Sequence, residues 1–185
     1  MMTRFFKYKP FVLLPAVLMM LFVTACSSID CELNSKVMCQ VQLQDLDGNN
    51  VQFTMPASVI LVHAGGDTTI YINAKAQLSD FDIPLSYQGS NDVIRLEISK
   101  SDTLKIMNDG VAKDTIVTTS VYDEISINKT NEPWFESVDC AAHYNHTINT
   151  AEATSHNFID HVVINEPYVS NNASKKNLYI RIRHF

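Results

Sequence analysis

The sequence predicts an all-β protein, an antiparallel β-sandwich of about nine strands behind a cleaved, helical export signal. Three observations carry this. Beyond residue 36, apolar and polar residues alternate with a period of two, with almost no helical periodicity. Runs rich in Val, Ile, Thr and Tyr recur at intervals of about 10–15 residues, as short strands do. Clusters such as Asp-Gly, Gly-Gly and Asn-Asp-Gly, which supply turns, separate those runs.

The elements follow in order. Val37, Cys39, Val41 and Leu43 share one face of the first strand, with Gln40, Gln42 and Gln44 opposite. Asp45–Asn50 is a turn, because its Asp-Gly pair tolerates the positive φ of tight hairpins. Alternation resumes at Val51, Phe53 and Met55, and Pro56 ends it. Ser58–Ala64 and Thr68–Asn73 flank a Gly65-Gly66-Asp67 turn. Phe81, Ile83, Leu85 and Tyr87 alternate next, and Gln88–Asp92 turns. Val93–Ser99 and Asp102–Met107 read as separate strands before a turn at Asn108-Asp109-Gly110. Asp114–Lys129 reads as one long strand or two, and Asn131–Asp139 as irregular. Phe158–Asn165 and Asn177–Arg183 close the fold, with Leu178, Ile180 and Ile182 inward and Arg181 and Arg183 outward.

Residues 1–25 read as a lipoprotein signal peptide. Arg4, Lys7 and Lys9 form a basic start, followed by an apolar stretch from Pro10 to Ala25. At 16 residues, that stretch is shorter than the ~20 a membrane-spanning helix needs. Thr24-Ala25-Cys26 resembles the end of a bacterial lipobox, with Val23 where Leu is commoner. The resemblance implies cleavage before Cys26, a thioether diacylglycerol on its sulfur, and N-acylation. Two or more acyl chains such as palmitate hold a protein stably on a membrane. An ordinary signal peptide with a free Cys26 is the alternative. Residues 26–36 are then a lipidated leader and 37–185 a single sandwich domain.

Removing the signal leaves 11 basic residues against 20 acidic ones, a net charge of −9 with His neutral. So acidic a chain is a poor partner for nucleic acid or anionic headgroups. Three other cysteines accompany Cys26. Cys39 sits in an alternating strand and reads as a small buried apolar residue. Cys31 and Cys140 lie in irregular segments, and a Cys31–Cys140 disulfide is the favoured pairing in an oxidising compartment. The alternative is that all three remain thiols.

Candidate chemistry is sparse. His143, His146, His156 and His161 could together ligate zinc and support a metal-dependent hydrolase. On strands, however, spacings of three and five place each pair on opposite faces. Asp45-Leu46-Asp47-Gly48 invites a calcium loop, but Asn50 and Pro56 stand where Gly and Glu are required. Trp134 and Phe135 are either glycan or partner contacts or a plug over the end of the core. Thr68, Thr103 and Thr115 each follow Asp and precede Thr, Leu or Ile, which resembles a periplasmic O-glycosylation signal. No nucleophile elbow and no Gly-rich phosphate loop is present.

Four segments resemble a family of small envelope lipoproteins of unknown function from anaerobic Gram-negative bacteria. They are Cys26–Asn34, Lys129–Cys140 (with Pro133-Trp134-Phe135), His146-Thr147-Ile148 and Ile159–Ile164. The resemblance implies a β-rich envelope protein in which Cys31 and Cys140 belong to the pattern and Cys39 does not. It supplies no activity. The expectation is therefore a lipid-anchored, non-enzymatic binding or structural module without a cofactor. Its place is the cell envelope, at the outer membrane, with the side open; its partner is another envelope protein or a glycan. A fimbrial or adhesin-type subunit is a further alternative, requiring an exposed sheet edge.

Overall fold

A computed structural model describes residues 37–74, 77–108, 111–135, 142–170 and 175–183, with backbone alone at 106–108 and 111–113. The signal, the leader, Cys26, Cys31 and Cys140 lie outside the described residues.

Among the described residues, ten strands build two sheets. They are β1 (Met38–Gln44), β2 (Ala57–Val62), β3 (Thr68–Ala74), β4 (Asp80–Pro84), β5 (Asn91–Asn108), β6 (Val111–Trp134), β7 (His143–Ala153), β8 (Ile159–Ile164), β9 (Tyr168–Val169) and β10 (Leu178–Ile182). The smaller sheet has the order β4-β1-β10-β8, the larger β3-β2-β5-β6-β7-β9. All described pairings are antiparallel except β1–β10, which is parallel. The all-β sandwich expectation holds, with that one parallel pair added. First and last strands lie side by side, so their crossover is the rest of the chain.

The inward faces follow the alternation. Cys39, Val41 and Leu43 of β1 and Leu178, Ile180 and Ile182 of β10 bury against Leu96, Ile98, Ile125 and Ile127 of the other sheet in one core. Phe53 and Phe158 meet edge to face within it, centroids 5.9 Å apart. Burial of Cys39 pushes its thiol far above the usual range, as expected for an inert apolar filler.

Four local expectations are corrected. Val51–Met55 is no strand: only Phe53 bridges, to Leu78. Val93–Ser99 and Asp102–Met107 are one strand, because the ladder to β6 runs unbroken through polar Ser99–Ser101. Asn131–Trp134 is not irregular but the end of β6, paired with β7. β7 itself was not anticipated. Its pairing shifts between Asn128↔Thr150 and Lys129↔Ile148, leaving Asn149 as an extra residue. That bulge moves the inward set from His146 and Ile148 to Ala151 and Ala153, so no period-2 pattern survives.

Candidate functional site

At the end of the sandwich where β5 begins and β7 begins, the layers part around a cavity of about 540 Å³. Val37, Leu61, Leu85, Val93 and Ile94 supply apolar wall. Asp92, His146, Tyr87 and Tyr144 supply polar and aromatic wall. Its size lies within the range of small-ligand sites.

Behind that wall is a buried polar cluster. On β6 the inward positions read Asp123, Ile125, Ile127 and Lys129, so alternation that buries two isoleucines also buries a charge at either end. Lys129 is the largest fully buried side chain among the described residues. Its Nζ donates to Gly89 O at 2.9 Å and pairs with Asp92 Oδ2 at 3.1 Å. The same Asp92 oxygen accepts the Ser86 N–H at 3.0 Å. Asn131, two residues on, donates from Nδ2 to Tyr87 O at 3.1 Å and Gly89 O at 2.8 Å. Its Oδ1 is thereby the acceptor for His146 Nδ1, 2.8 Å away. These bonds tie the Ser86–Ser90 loop to the β6–β7 ladder.

That geometry fixes the state of His146. Its Nδ1 must carry the proton, leaving Nε2 with a lone pair. Burial, with the Lys129 ammonium nearby, lowers its pKa to about 4; the Asp92 carboxylate opposes the shift. At neutral pH the imidazole is thus a neutral acceptor and a poor general base. Among the described residues neither His146 Nε2 nor Asp92 Oδ1 has a hydrogen-bond partner. The Lys129 charge is already spent on Asp92 and the Gly89 carbonyl. The wall thus offers a ligand two unengaged acceptors, flanked by the Tyr87 and Tyr144 rings, which stack 5.3 Å apart at 19°.

The second buried charge is structural. Asp123 accepts the N–H groups of Asn157, Phe158 and Ile159 at 2.7–2.8 Å. Burial alone would raise its pKa, but these donors outweigh it and hold it below the ordinary carboxylate range. It anchors the turn between β7 and β8.

The four histidines proposed as zinc ligands do not converge. His143 and His146 stand at positions of opposite parity on β7, though both line the cavity, and the His143 ring lies 6.0 Å from Trp134. His156 Nδ1 contacts Ile159 O at 3.1 Å, and His161 Nδ1 contacts Asp160 at 2.8 Å. Among the described residues no three His, Cys, Asp or Glu side chains gather as a metal site. The hydrolase reading loses its geometric requirement. Trp134 and Phe135 are 48% and 64% exposed, so they are not a plug. Trp134 ends β6 opposite His143, on the face away from the core. The Asp45 carboxylate is committed to Asn49 N and Nδ2 at 2.8 and 2.9 Å, which makes 45–50 a hairpin turn. Thr68 begins β3, while Thr103 and Thr115 lie on β5 and β6 with Ile116 and Leu104 as their respective partners.

Asp92, Lys129, Asn131, Tyr87 and Tyr144 were not singled out from the sequence. The available signal was Lys129 itself, a charged residue at the next inward position after Ile125 and Ile127.

No curated protein and no solved structure matches the chain. Residues 58–182, which include nearly all of the cavity wall and both buried charges of β6, match the Family of unknown function (DUF6452). The match spans more than half of the sequence, and the chain belongs to that family.

Proposed function

We propose that this protein is a lipid-anchored, non-enzymatic binding module of the cell envelope, and that the cavity beside His146 is its ligand site. The observation that carries the reading is a partly apolar cavity with two acceptors at its wall, His146 Nε2 and Asp92 Oδ1, that are unengaged among the described residues. A matching ligand is a small molecule with hydroxyl or amine donors on an apolar or ring-shaped body, which the two tyrosines would flank. An imidazole held near 4 supports binding over acid–base chemistry at neutral pH. Val37 and Ala142 both line the cavity. They are the first described residues after Cys31 and Cys140, and their shared position on one cavity wall supports the proposed disulfide between these two.

The binding half is tested by native mass spectrometry of the protein released from its own membranes in mild detergent. A small adduct carried by wild type and lost from a cavity-filling Val93→Trp variant is expected. Equal adducts, or none in either protein, would refute ligand binding. The anchoring half is tested separately with a palmitate analogue. Label should enter wild type and be absent from Cys26→Ala; label persisting in that variant, or absent from wild type, removes the anchor.

A further inference from the structure

The longest hairpin outruns the fold. β2 pairs with β5 only as far as Ala57↔Ile98, and the last bond on that side is Ser99 N to Pro56 O. β7 pairs with β6 only from Ile125 onward. On that side Thr154 N and Ser155 Oγ take Glu124, and Asn157 Nδ2 takes Tyr122 O. Beyond these points, Lys100–Asn108 have only Val111–Thr119 as ladder partners among the described residues, and the β7-side edge of 111–121 is unpaired. At about 3.3 Å per residue, this two-stranded arm extends roughly 30 Å. Every described side chain from Lys100 to Lys105 and from Asp114 to Ser120 is exposed, save half-buried Thr115.

A two-stranded ribbon is marginal in water by itself. Its two edges also differ. The β5 edge carries Lys100, Asp102 and Lys105, charges of the kind that discourage strand addition. The β6 edge reads Thr115-Ile116-Val117-Thr118-Thr119-Ser120, with no charge, no Pro and no Gly, and strong β propensity throughout. The N–H and C=O of Glu124 point to the β7 side. By ladder alternation, those of Asp114, Ile116, Thr118 and Ser120 point to the same open edge.

We propose that this edge pairs antiparallel with the same edge of a second copy, about a two-fold axis at Ile116. The open stretch 111–121 is centred there, so this register uses all of it. Ile116, 73% exposed, would meet its own symmetry mate, and Thr118 would meet Asp114 of the other copy. Ile116 would exchange both its bonds, and each Asp114–Thr118 pair two more, about six in all. The interface is isologous and closes at two copies, leaving the charged β5 edges as the outer strands. A four-stranded intermolecular sheet replaces two exposed ribbons. The interaction is independent of what the cavity binds.

Disulfide trapping tests the register. Facing residues of a hydrogen-bonded pair have Cα atoms about 5.5 Å apart, within disulfide range. Ile116→Cys should therefore oxidise to a covalent dimer. Leu104→Cys, exposed but on the outer strand, should not, because its mate would lie about three strand spacings (~14 Å) away. Sedimentation equilibrium gives the second readout. Wild type should dimerise reversibly. Thr118→Pro, which removes an outward N–H and no β5 ladder bond (only the exposed hydroxyl contact to Ser101), should be monomeric with unchanged circular dichroism. A monomeric wild type, equal oxidation of the two cysteine variants, or a Thr118→Pro dimer would each overturn the proposal. So would an edge occupied in membrane extracts by another protein in place of a second copy.

Discussion

Acid should unfold this protein earlier than its carboxylates alone require, and His146 should be the reason. The imidazole is 2% exposed and donates from Nδ1 to Asn131. Its pKa falls from 6.5 to about 4 on folding, first through burial and then through the Lys129 charge. Above pH 7 both folded and unfolded chains hold it neutral, and it contributes no pH dependence. As pH drops below 6.5, the unfolded chain takes up the proton first, and stability is lost. The loss is about 2 kcal/mol at pH 5 and about 3 kcal/mol at pH 4, and it levels off below the folded pKa. Asp45, Asp80, Asp123 and Asp160 all have lowered pKa values, so their stabilisation is present above the ordinary carboxylate value and lost only as pH falls below it. The two windows barely overlap.

The assay is urea unfolding of wild type and His146→Gln at pH 7, 6, 5 and 4.5. The variant should be less stable at pH 7, by about 1–3 kcal/mol, for its lost packing and hydrogen bond. The gap between the proteins should shrink by about 2 kcal/mol between pH 7 and pH 5. A gap that stays constant with pH would show that His146 titrates alike in both states, and the inferred tautomer and neutral acceptor would fall with it.

Other perturbations have defined outcomes. Lys129→Met strands the Asp92 carboxylate and should cost about 3 kcal/mol, part of it recovered by adding Asp92→Asn; calorimetry of the three variants decides. The same Lys129→Met change removes a positive neighbour, so the His146 pKa should rise, read from its imidazole NMR shifts. Asp123→Ala removes the carboxylate that accepts two buried N–H groups and one part-buried one and should cost about 2–4 kcal/mol in urea unfolding, whereas Asp47→Ala, on the exposed turn, should cost little. Gly48→Ala should cost about 1 kcal/mol or more, since φ is +95° and the new Cβ would sit 2.8 Å from Arg181 Nη1. The Cys39 thiol should react with a maleimide only at the rate of global unfolding.

The sheets were legible wherever one face is apolar and the register unbroken. β1 and β4 satisfy both conditions, as does β10 up to Arg181, where its pairing with β8 shifts, and the inward residues inferred for all three are buried. β7 satisfies neither. Its inward set is His146, Ile148, Ala151 and Ala153, two of them small, and the bulge at Asn149 reverses their parity midway. The arm was legible as β structure but not as an arm. Alternation reports which face is inward, and beyond Ile98 there is no inward face to report. A ladder needs only backbone groups, so the polar residues Ser99–Ser101 interrupt the hydrophobic pattern without interrupting the strand.

The candidate site shows a further reason why sequence reading fell short. Histidines were gathered by closeness in sequence, yet a strand separates neighbours and a sheet joins strangers. Asn131 meets His146 and Lys129 meets Asp92 because β6 pairs with β7 on one side and β5 on the other. Neither pairing follows from spacing along the chain. The informative sequence feature was a breach of pattern: two charges, Asp123 and Lys129, at the inward parity of an otherwise apolar strand. Such a residue must either be satisfied by the fold or be held for a ligand. Asp123 spends its carboxylate on turn N–H groups and belongs to the first kind. Lys129 holds Asp92 with one carboxylate oxygen left over, beside an imidazole with one nitrogen left over. That unspent acceptor capacity at a cavity wall, more than any count of histidines, is the ground on which a ligand site is proposed here and not at Asp123.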